Sequence, residues 1–246
     1  MDHPIAEQSI AVTQDAPSKR LGLFGGSFNP VHNGHLAIAR DVREHMQLSR
    51  ILFIPTGDPP HKHNRSLAPA PIRFEMVRLA IADTPVFDVS AMELHRAGKS
   101  YSIDTVRELR EQYGRSWKLF FIIGLDAFLE FPTWRAPEEL LRLCHFVVVP
   151  RPGRLFQTLA GTPFLSNLDP EPLRQLDAGV LEKLEIAVPD ASGITCLLLP
   201  PCPISASDIR QKIRSRLSLA NMLPPPVESY ILQHSLYQED SDRTHI

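Results

Sequence analysis

The sequence predicts an α/β fold built on a doubly wound parallel sheet, and three observations carry that reading. Short apolar runs alternate with amphipathic helical patterns along most of the chain. One run, residues 119–123, is apolar on both faces, as a strand covered on both sides must be. A glycine pair, Gly25-Gly26, ends the first run and leads directly toward a helical pattern. In a sheet of this kind that turn lies in the crevice at the carboxyl ends of the strands, where ligands bind.

The elements follow in order. Residues 1–18 are polar, contain two prolines and show no sustained period, so they read as a loose arm. Residues 19–24 form a first strand. Residues 36–47 form a helix whose apolar positions are Leu36, Ile38, Ala39, Val42 and Met46. A strand at 51–54 is stopped by Pro55, and a helix at 74–82 carries Phe74, Val77 and Ile81 on one face. Strand 86–89, helix 102–113, strand 119–123, helix 138–143 and strand 146–149 complete the rhythm. Residues 150–192 are proline-rich with a patchy amphipathic pattern (Leu173, Leu176, Val180, Leu181, Leu184), read as an insertion carrying one or two helices. A last strand at 194–199 is followed by a polar helix from Ser205 and a final helix at 227–236. A single domain over 19–237 and a short tail over 238–246 are expected.

Composition narrows the partners. The 246 residues carry 26 Lys+Arg against 28 Asp+Glu, without the basic excess of a protein that tracks nucleic acid. Any phosphate ligand should therefore be small and held locally. No apolar run approaches the roughly 20 residues of a bilayer span, and residues 1–20 lack an apolar signal core, so no membrane association is expected and the cytoplasm is the expected compartment. Three cysteines, Cys144, Cys196 and Cys202, without a C-x-x-C pair exclude a disulfide framework and a four-cysteine zinc site. Oligomeric state leaves no mark on the sequence.

The segment richest in chemistry is Gly25-Gly-Ser-Phe-Asn-Pro-Val-His32-Asn-Gly-His35. Gly25 and Gly26 allow close backbone approach and supply free N–H donors. The helix start beyond adds unpaired N–H groups and the positive end of its dipole, a seat for phosphate. His32 and His35, three apart, project on one face and can donate to phosphate oxygens with little fixed charge. Histidines at a helix start are more often caps or zinc ligands; within this pattern the phosphate reading prevails. Neither a Walker A motif nor G-x-G-x-x-G is present. Near the other end, Ser205 and Ser207 open a helix, and Arg210 adds a planar cationic fork. Alone, that pattern would be a helix cap.

Together the two segments resemble the nucleotidylyltransferase superfamily: His32-x-Gly34-His35 matches its H-x-G-H signature, and Ile204-Ser-Ala-Ser-Asp-Ile-Arg210 its second, I-S-[SA]-[ST]-x-I-R. Pro59-Pro-His61-Lys62, Lys99-Ser-Tyr101-Ser102-Ile-Asp-Thr105, and Phe121-Ile-Ile-Gly-Leu-Asp126 leading to Phe131-Pro-Thr-Trp134 narrow the likeness to bacterial nicotinate-nucleotide adenylyltransferases, over about Leu21 to Tyr237. The resemblance implies a Rossmann-like sheet and transfer of the adenylyl group of ATP to nicotinate mononucleotide, with Mg2+ accompanying ATP and no metal site of the chain's own. It implies His32, His35 and Arg210 as catalytic residues. ATP would meet these with Gly25, Gly26, Ser27, Phe28, Asp126, Ser205 and Ser207; nicotinate mononucleotide would meet Lys62, Tyr101, Ser102, Thr105 and Trp134. Ser27 and Asn29 stand where the family often has Thr and Asp, and Arg135 where an aromatic often follows the Trp.

Asp104 would repel a nicotinate carboxylate and is expected to face solvent. Glu93 and the Arg110–Glu111 neighbourhood read as ordinary surface. Alternative readings are transfer to nicotinamide mononucleotide or another phosphate acceptor such as phosphopantetheine, and a non-catalytic nucleotide sensor.

Overall fold

The computed structural model describes residues 19–57 and 67–238. In chain order the elements are β1 (Lys19–Gly26), α1 (Asn33–His45), β2 (Arg50–Pro55), α2 (Ala70–Ile81), β3 (Phe87–Val89), α3 (Ser102–Tyr113) and β4 (Trp117–Gly124). Then follow α4 (Leu125–Glu130), α5 (Pro137–Leu143), β5 (His145–Val149), α6 (Glu171–Asp177), β6 (Lys183–Ile186), β7 (Ile194–Leu197), α7 (Ala206–Arg214) and α8 (Pro225–Gln233). The strands make one sheet in the order β3-β2-β1-β4-β5-β7-β6. All neighbouring pairs are parallel except β6–β7.

Strand side chains alternate between two covered faces, which is why the strands read as continuous apolar runs. Leu21, Leu23, Leu119, Phe121, Ile123, Phe146 and Val148 join the core beneath α3, α4 and α5. Phe24, Ile51, Phe53, Phe120, Ile122, Val147 and Val149 join the opposite core with α1, α2, α7 and α8.

The sheet grows outward from β1 through β2 to β3, then restarts on the other side of β1 with β4. That reversal between β1 and β4 splays the loops at their carboxyl ends and opens a crevice. Gly25-Gly26 leaves β1 there and Gly124-Leu125-Asp126 leaves β4, so the topology delivers both segments to one place.

The segment 150–192 carries, besides α6 and two short 3₁₀ turns, the edge strand β6. Leu184 and Ile186 face inward, while the exposed Lys183 and Glu185 form an ion pair at 2.9 Å. Two apolar residues are too few to separate a period of 2 from one of 3.6, and the pairing with β7 is non-local. A charged edge of this kind blunts pairing with another chain.

Candidate active site

His32 is the N-cap of α1, in extended backbone, and is 6% exposed. Its N–H donates to Nδ1 of His35 at 3.2 Å, and the two imidazoles stack with centroids 3.7 Å apart. A nitrogen that accepts carries no proton, so neutral His35 keeps its hydrogen on Nε2 as a donor. Burial pushes the His32 pKa down to about 4, with the Arg151 charge adding to the effect. Burial, then His32, then Arg151 hold His35 well below the ordinary histidine range. Near pH 7 both rings are neutral hydrogen-bonding groups. His32 Nδ1 is sealed from solvent beside the N–H of His35, in the reciprocal arrangement of a capping box, without a full hydrogen bond.

The turn between β1 and α1 is shaped from below. Phe28 has φ +45°, a costly conformation for a bulky residue. Its ring is buried against Phe24 and meets the His35 ring at 5.1 Å in an edge-on contact. Phe28 thus supports His35 from the core; its ring is not on the ligand side. Gly25 has open space where a Cβ would stand. A Cβ on Gly34 would lie 2.6 Å from Cys202 Sγ and 3.0 Å from His32 Nδ1, so only glycine lets α1 and the segment before α7 come this close.

The second signature docks on the first. Arg210 Nη1 donates to the Asn29 carbonyl at 2.7 Å, and Nη2 to Ser207 Oγ at 3.2 Å. Ser205 Oγ accepts from the Asp208 N–H at 3.1 Å and caps α7. The Asn29 side-chain oxygen accepts from the Ala68 N–H at 3.0 Å and the Tyr237 hydroxyl at 2.8 Å. An amide at position 29 therefore joins the first signature to the C-terminal end of the fold.

Three residues around the crevice, Arg73, Glu93 and Arg151, escaped the sequence reading. Arg73, 1% exposed, donates to the carbonyls of Ser27, Thr56 and Ala68 at 2.6–2.8 Å. Burial lowers its pKa, while Tyr237 and Glu93 oppose the shift. Its sequence signal was its spacing on α2, three and four residues before the buried Met76 and Val77. Glu93, read as surface, is 7% exposed and accepts from Thr105 Oγ1 at 2.7 Å and the Gly57 N–H at 3.3 Å. Arg73 also donates to the Gly57 carbonyl at 3.3 Å, so Arg73 and Glu93 pin Gly57 while Arg73 and Asn29 hold Ala68, on either side of the segment that contains Lys62. Lys62 itself lies outside the described residues, as do the arm 1–18 and residues 239–246.

Arg151, just beyond β5, donates from Nε to Asp126 Oδ1 at 3.1 Å. A Cβ on Gly124 would collide with that guanidinium, which is the structural use of this glycine. Asp126 lies in the first turn of α4, half exposed, and shares the crevice with the histidines through Arg151.

The acceptor-side residues divide. Tyr101 caps α3, and Ser102 begins it. Trp134 packs edge-on against Phe121 and Phe131 at 6.1 and 5.6 Å. Arg135 lies over the Tyr101 ring, its Cζ 4.8 Å from the centroid, and joins the Trp134 turn to the start of α3. Thr105 corrects the sequence reading: it is 2% exposed, and its hydroxyl donates to Glu93 and accepts from Arg96 at 2.9 Å. With both functions committed, it positions Glu93 and does not present itself to a ligand. Asp104 is one-third exposed but is not simply solvated; it pairs with Arg107 at 3.5 Å and stands 4.0 Å from Arg135. Arg110, also read as surface, donates to the Trp117 carbonyl at 2.7 Å and to that of Leu143.

Two neutral imidazoles at a helix start, faced by a second helix start with its arginine at the switch point of a doubly wound sheet, define a nucleotidyltransferase. Residues 23–212 match the cytidylyltransferase-like family model, and the chain belongs, within that family, to the nicotinate-nucleotide adenylyltransferases. It is 36% identical over 223 residues to a Thermoanaerobacter sp. (strain X514) protein named "probable nicotinate-nucleotide adenylyltransferase", covering 91% of this chain and 96% of that one. A Geobacter metallireducens protein of the same name is 40% identical, with 90% and 99% covered. In fold, the chain is similar to Plasmodium falciparum nicotinic acid mononucleotide adenylyltransferase complexed with NaAD, with a TM-score of 0.65, 16% identity and 89% and 97% of the two chains covered.

Proposed function

We propose that the chain catalyses attack of the 5′-phosphate of nicotinate mononucleotide on the α-phosphorus of ATP, giving deamido-NAD and pyrophosphate. One P–O bond forms to the acceptor and one breaks to the leaving group. The attacking oxygen is already anionic, so no general base is required. The protein's work is to align two anions and to stabilise charge that develops on the pyrophosphate.

The observation that carries this reading is the docking of the two signatures, Arg210 Nη1 on the Asn29 carbonyl at 2.7 Å, which assembles both helix starts at one crevice. In this assignment the Nε2–H of His35 and the neutral imidazole of His32 receive the phosphates around the reacting phosphorus. Ser207, Arg210 and the N–H groups opening α7 hold the leaving pyrophosphate, and the Gly25–Gly26 turn gives clearance and donors. Asp126 and Arg151 border the nucleotide, while Tyr101, Ser102 and Trp134 border the pyridine ring, with Lys62 toward the acceptor phosphate. A hydrogen bond to a charged group contributes about 1.5–3 kcal/mol, so these few donors suffice to orient the polyphosphate.

Among the described residues no three His, Cys, Asp or Glu side chains form a metal cage. Magnesium fits here as an ion carried by the ATP phosphates, whose charge it would neutralise. No helix among the described residues is long and apolar enough to cross a membrane, and this reading places the reaction in the cytoplasm.

The test is the fate of label. Adenylyl transfer predicts that label from the α-phosphate of ATP enters the dinucleotide while label from the γ-phosphate leaves in pyrophosphate. Recovery of γ-label in the acceptor product would mean another kind of transfer.

A further inference from the structure

A cavity of about 510 Å3 opens at the amino ends of β1, β4 and β5, across the sheet from the crevice that holds the histidines. Its charge is one-sided. Arg20, Arg110, Arg115 and Lys118 line it, against the single carboxylate of Glu185, which pairs with Lys183 at 2.9 Å and also feels the Arg20 charge. Arg110 is spent on backbone carbonyls and serves as a fixed charge in the wall. Arg115 and Lys118 are exposed and point no hydrogen bond at any described residue.

Arg20 is the informative member. Its guanidinium sits over the Phe120 ring at 4.4 Å, and its Nε is buried with no hydrogen-bond partner among the described residues. Sealed in the wall, Nε cannot reach a ligand, so a ligand in the cavity would take the Nη donors of Arg20, which bond no described residue. Both ring nitrogens of His145, which closes the wall, are engaged at 2.7 Å by Ser192 and Thr195, so the imidazole competes for nothing. Guanidinium and ammonium groups lining one open space are a phosphate-recognition chemistry.

We propose that this cavity binds a phosphorylated small molecule through Arg20, Arg115 and Lys118, at a site separate from the transfer site. The chain contains two tryptophans. Trp117 lines the cavity, whereas Trp134 packs on Phe121 and Phe131 and precedes Arg135, which lies over Tyr101, so each indole reports one region.

The experiment is 19F NMR of the full chain carrying 5-fluorotryptophan, the resonances assigned with Trp117→Phe and Trp134→Phe. Inorganic pyrophosphate and AMP are titrated separately. The expected result is a saturable shift of the Trp117 resonance with both, weakened by added salt. Tighter binding of AMP identifies a nucleotide as the ligand class, and equal binding identifies the phosphate alone. In Arg115→Ala/Lys118→Ala, two exposed positions, the affinity read at Trp117 falls at least tenfold. In that variant kcat/KM for transfer and the Trp134 response stay unchanged. Absence of a Trp117 shift at millimolar probe, or an undiminished shift in the double variant, overturns the proposal; the latter would mean an effect transmitted from the transfer site.

Discussion

Replacing Gly34 by alanine adds one carbon at the most crowded point between the two signatures. That carbon would stand 2.6 Å from Cys202 Sγ, and 3.0 and 3.1 Å from Nδ1 and Cε1 of His32. Comfortable non-bonded contact is about 3.5–4.0 Å, so the thiol must retreat by roughly 1 Å and the imidazole by roughly half as much. Both movements reach the proposed machinery. Cys202 lies three residues before Ser205, the cap of α7, and His32 is the cap of α1.

A misplacement of about 1 Å at an aligned site costs on the order of 10²-fold in rate. Stability moves less. Overpacking costs about 1–3 kcal/mol, and alanine in a helix returns about 1 kcal/mol relative to glycine. Gly34→Ala should therefore stay folded, with Tm lowered by no more than about 8 °C, and lose about 10²-fold in kcat/KM. Steady-state pyrophosphate release and thermal unfolding measure both. Adding Cys202→Ala removes the nearer clash and should restore part of the lost activity. Wild-type kinetics in Gly34→Ala, or no recovery in the double variant, would refute the reasoning.

His35→Ala removes the donor whose tautomer the His32 N–H fixes, and should cost about 10²–10³ in kcat while circular dichroism remains native; near-normal turnover would remove this ring from the reaction. Arg210→Lys keeps the charge but cannot hold both the Asn29 carbonyl and Ser207 Oγ. It should raise KM for ATP and lower kcat, with a stability loss of about 1 kcal/mol; unchanged ATP kinetics would reduce the second signature to a helix cap. For His32, the folded pKa is lowered to about 4 against 6.5 when unfolded. Its contribution to stability is complete above pH 6.5 and is lost as pH falls toward 4. Denaturant unfolding of wild type should weaken by about 2 kcal/mol more than His32→Asn between pH 7 and pH 5. Equal slopes for the two proteins would place the imidazole in solvent.

How far the sequence could reach depended on whether the relevant spacing was local. The strand at 119–123 was legible because its apolar residues feed both cores, and His32, Gly34 and His35 were legible because three consecutive backbone steps bring them together. Ser205 was read correctly as a cap candidate for the same reason. β6 was not, because its two inward residues acquire meaning only by pairing with β7. Glu93 and Arg110 looked like surface because charge usually is surface; their burial depends on Gly57 and Thr105 in one case and on the carbonyls of Trp117 and Leu143 in the other. Arg151 lay in a proline-rich stretch with no pattern of its own, and only the fold sets it beside Asp126. The sequence also assigned Thr105 to the ligand; a hydroxyl at that position is visible in sequence, but its prior commitment to Glu93 and Arg96 is not.

The central claim is the acceptor. Nicotinate and nicotinamide mononucleotides differ by a carboxylate against an amide; in the proposed assignment the Tyr101–Ser102 helix start and the Arg135 guanidinium, which lies over the Tyr101 ring, would supply donors to an acceptor-only anion. An amide NH2 facing those donors would leave both sides unpaired, at about 1–3 kcal/mol for each mismatch. The decisive measurement is pyrophosphate release from ATP and Mg2+ with each mononucleotide as sole acceptor, compared as kcat/KM. Two mismatches predict a preference for nicotinate mononucleotide of on the order of 10²–10⁴. Equal use of the two, or preference for the amide, would contradict the account.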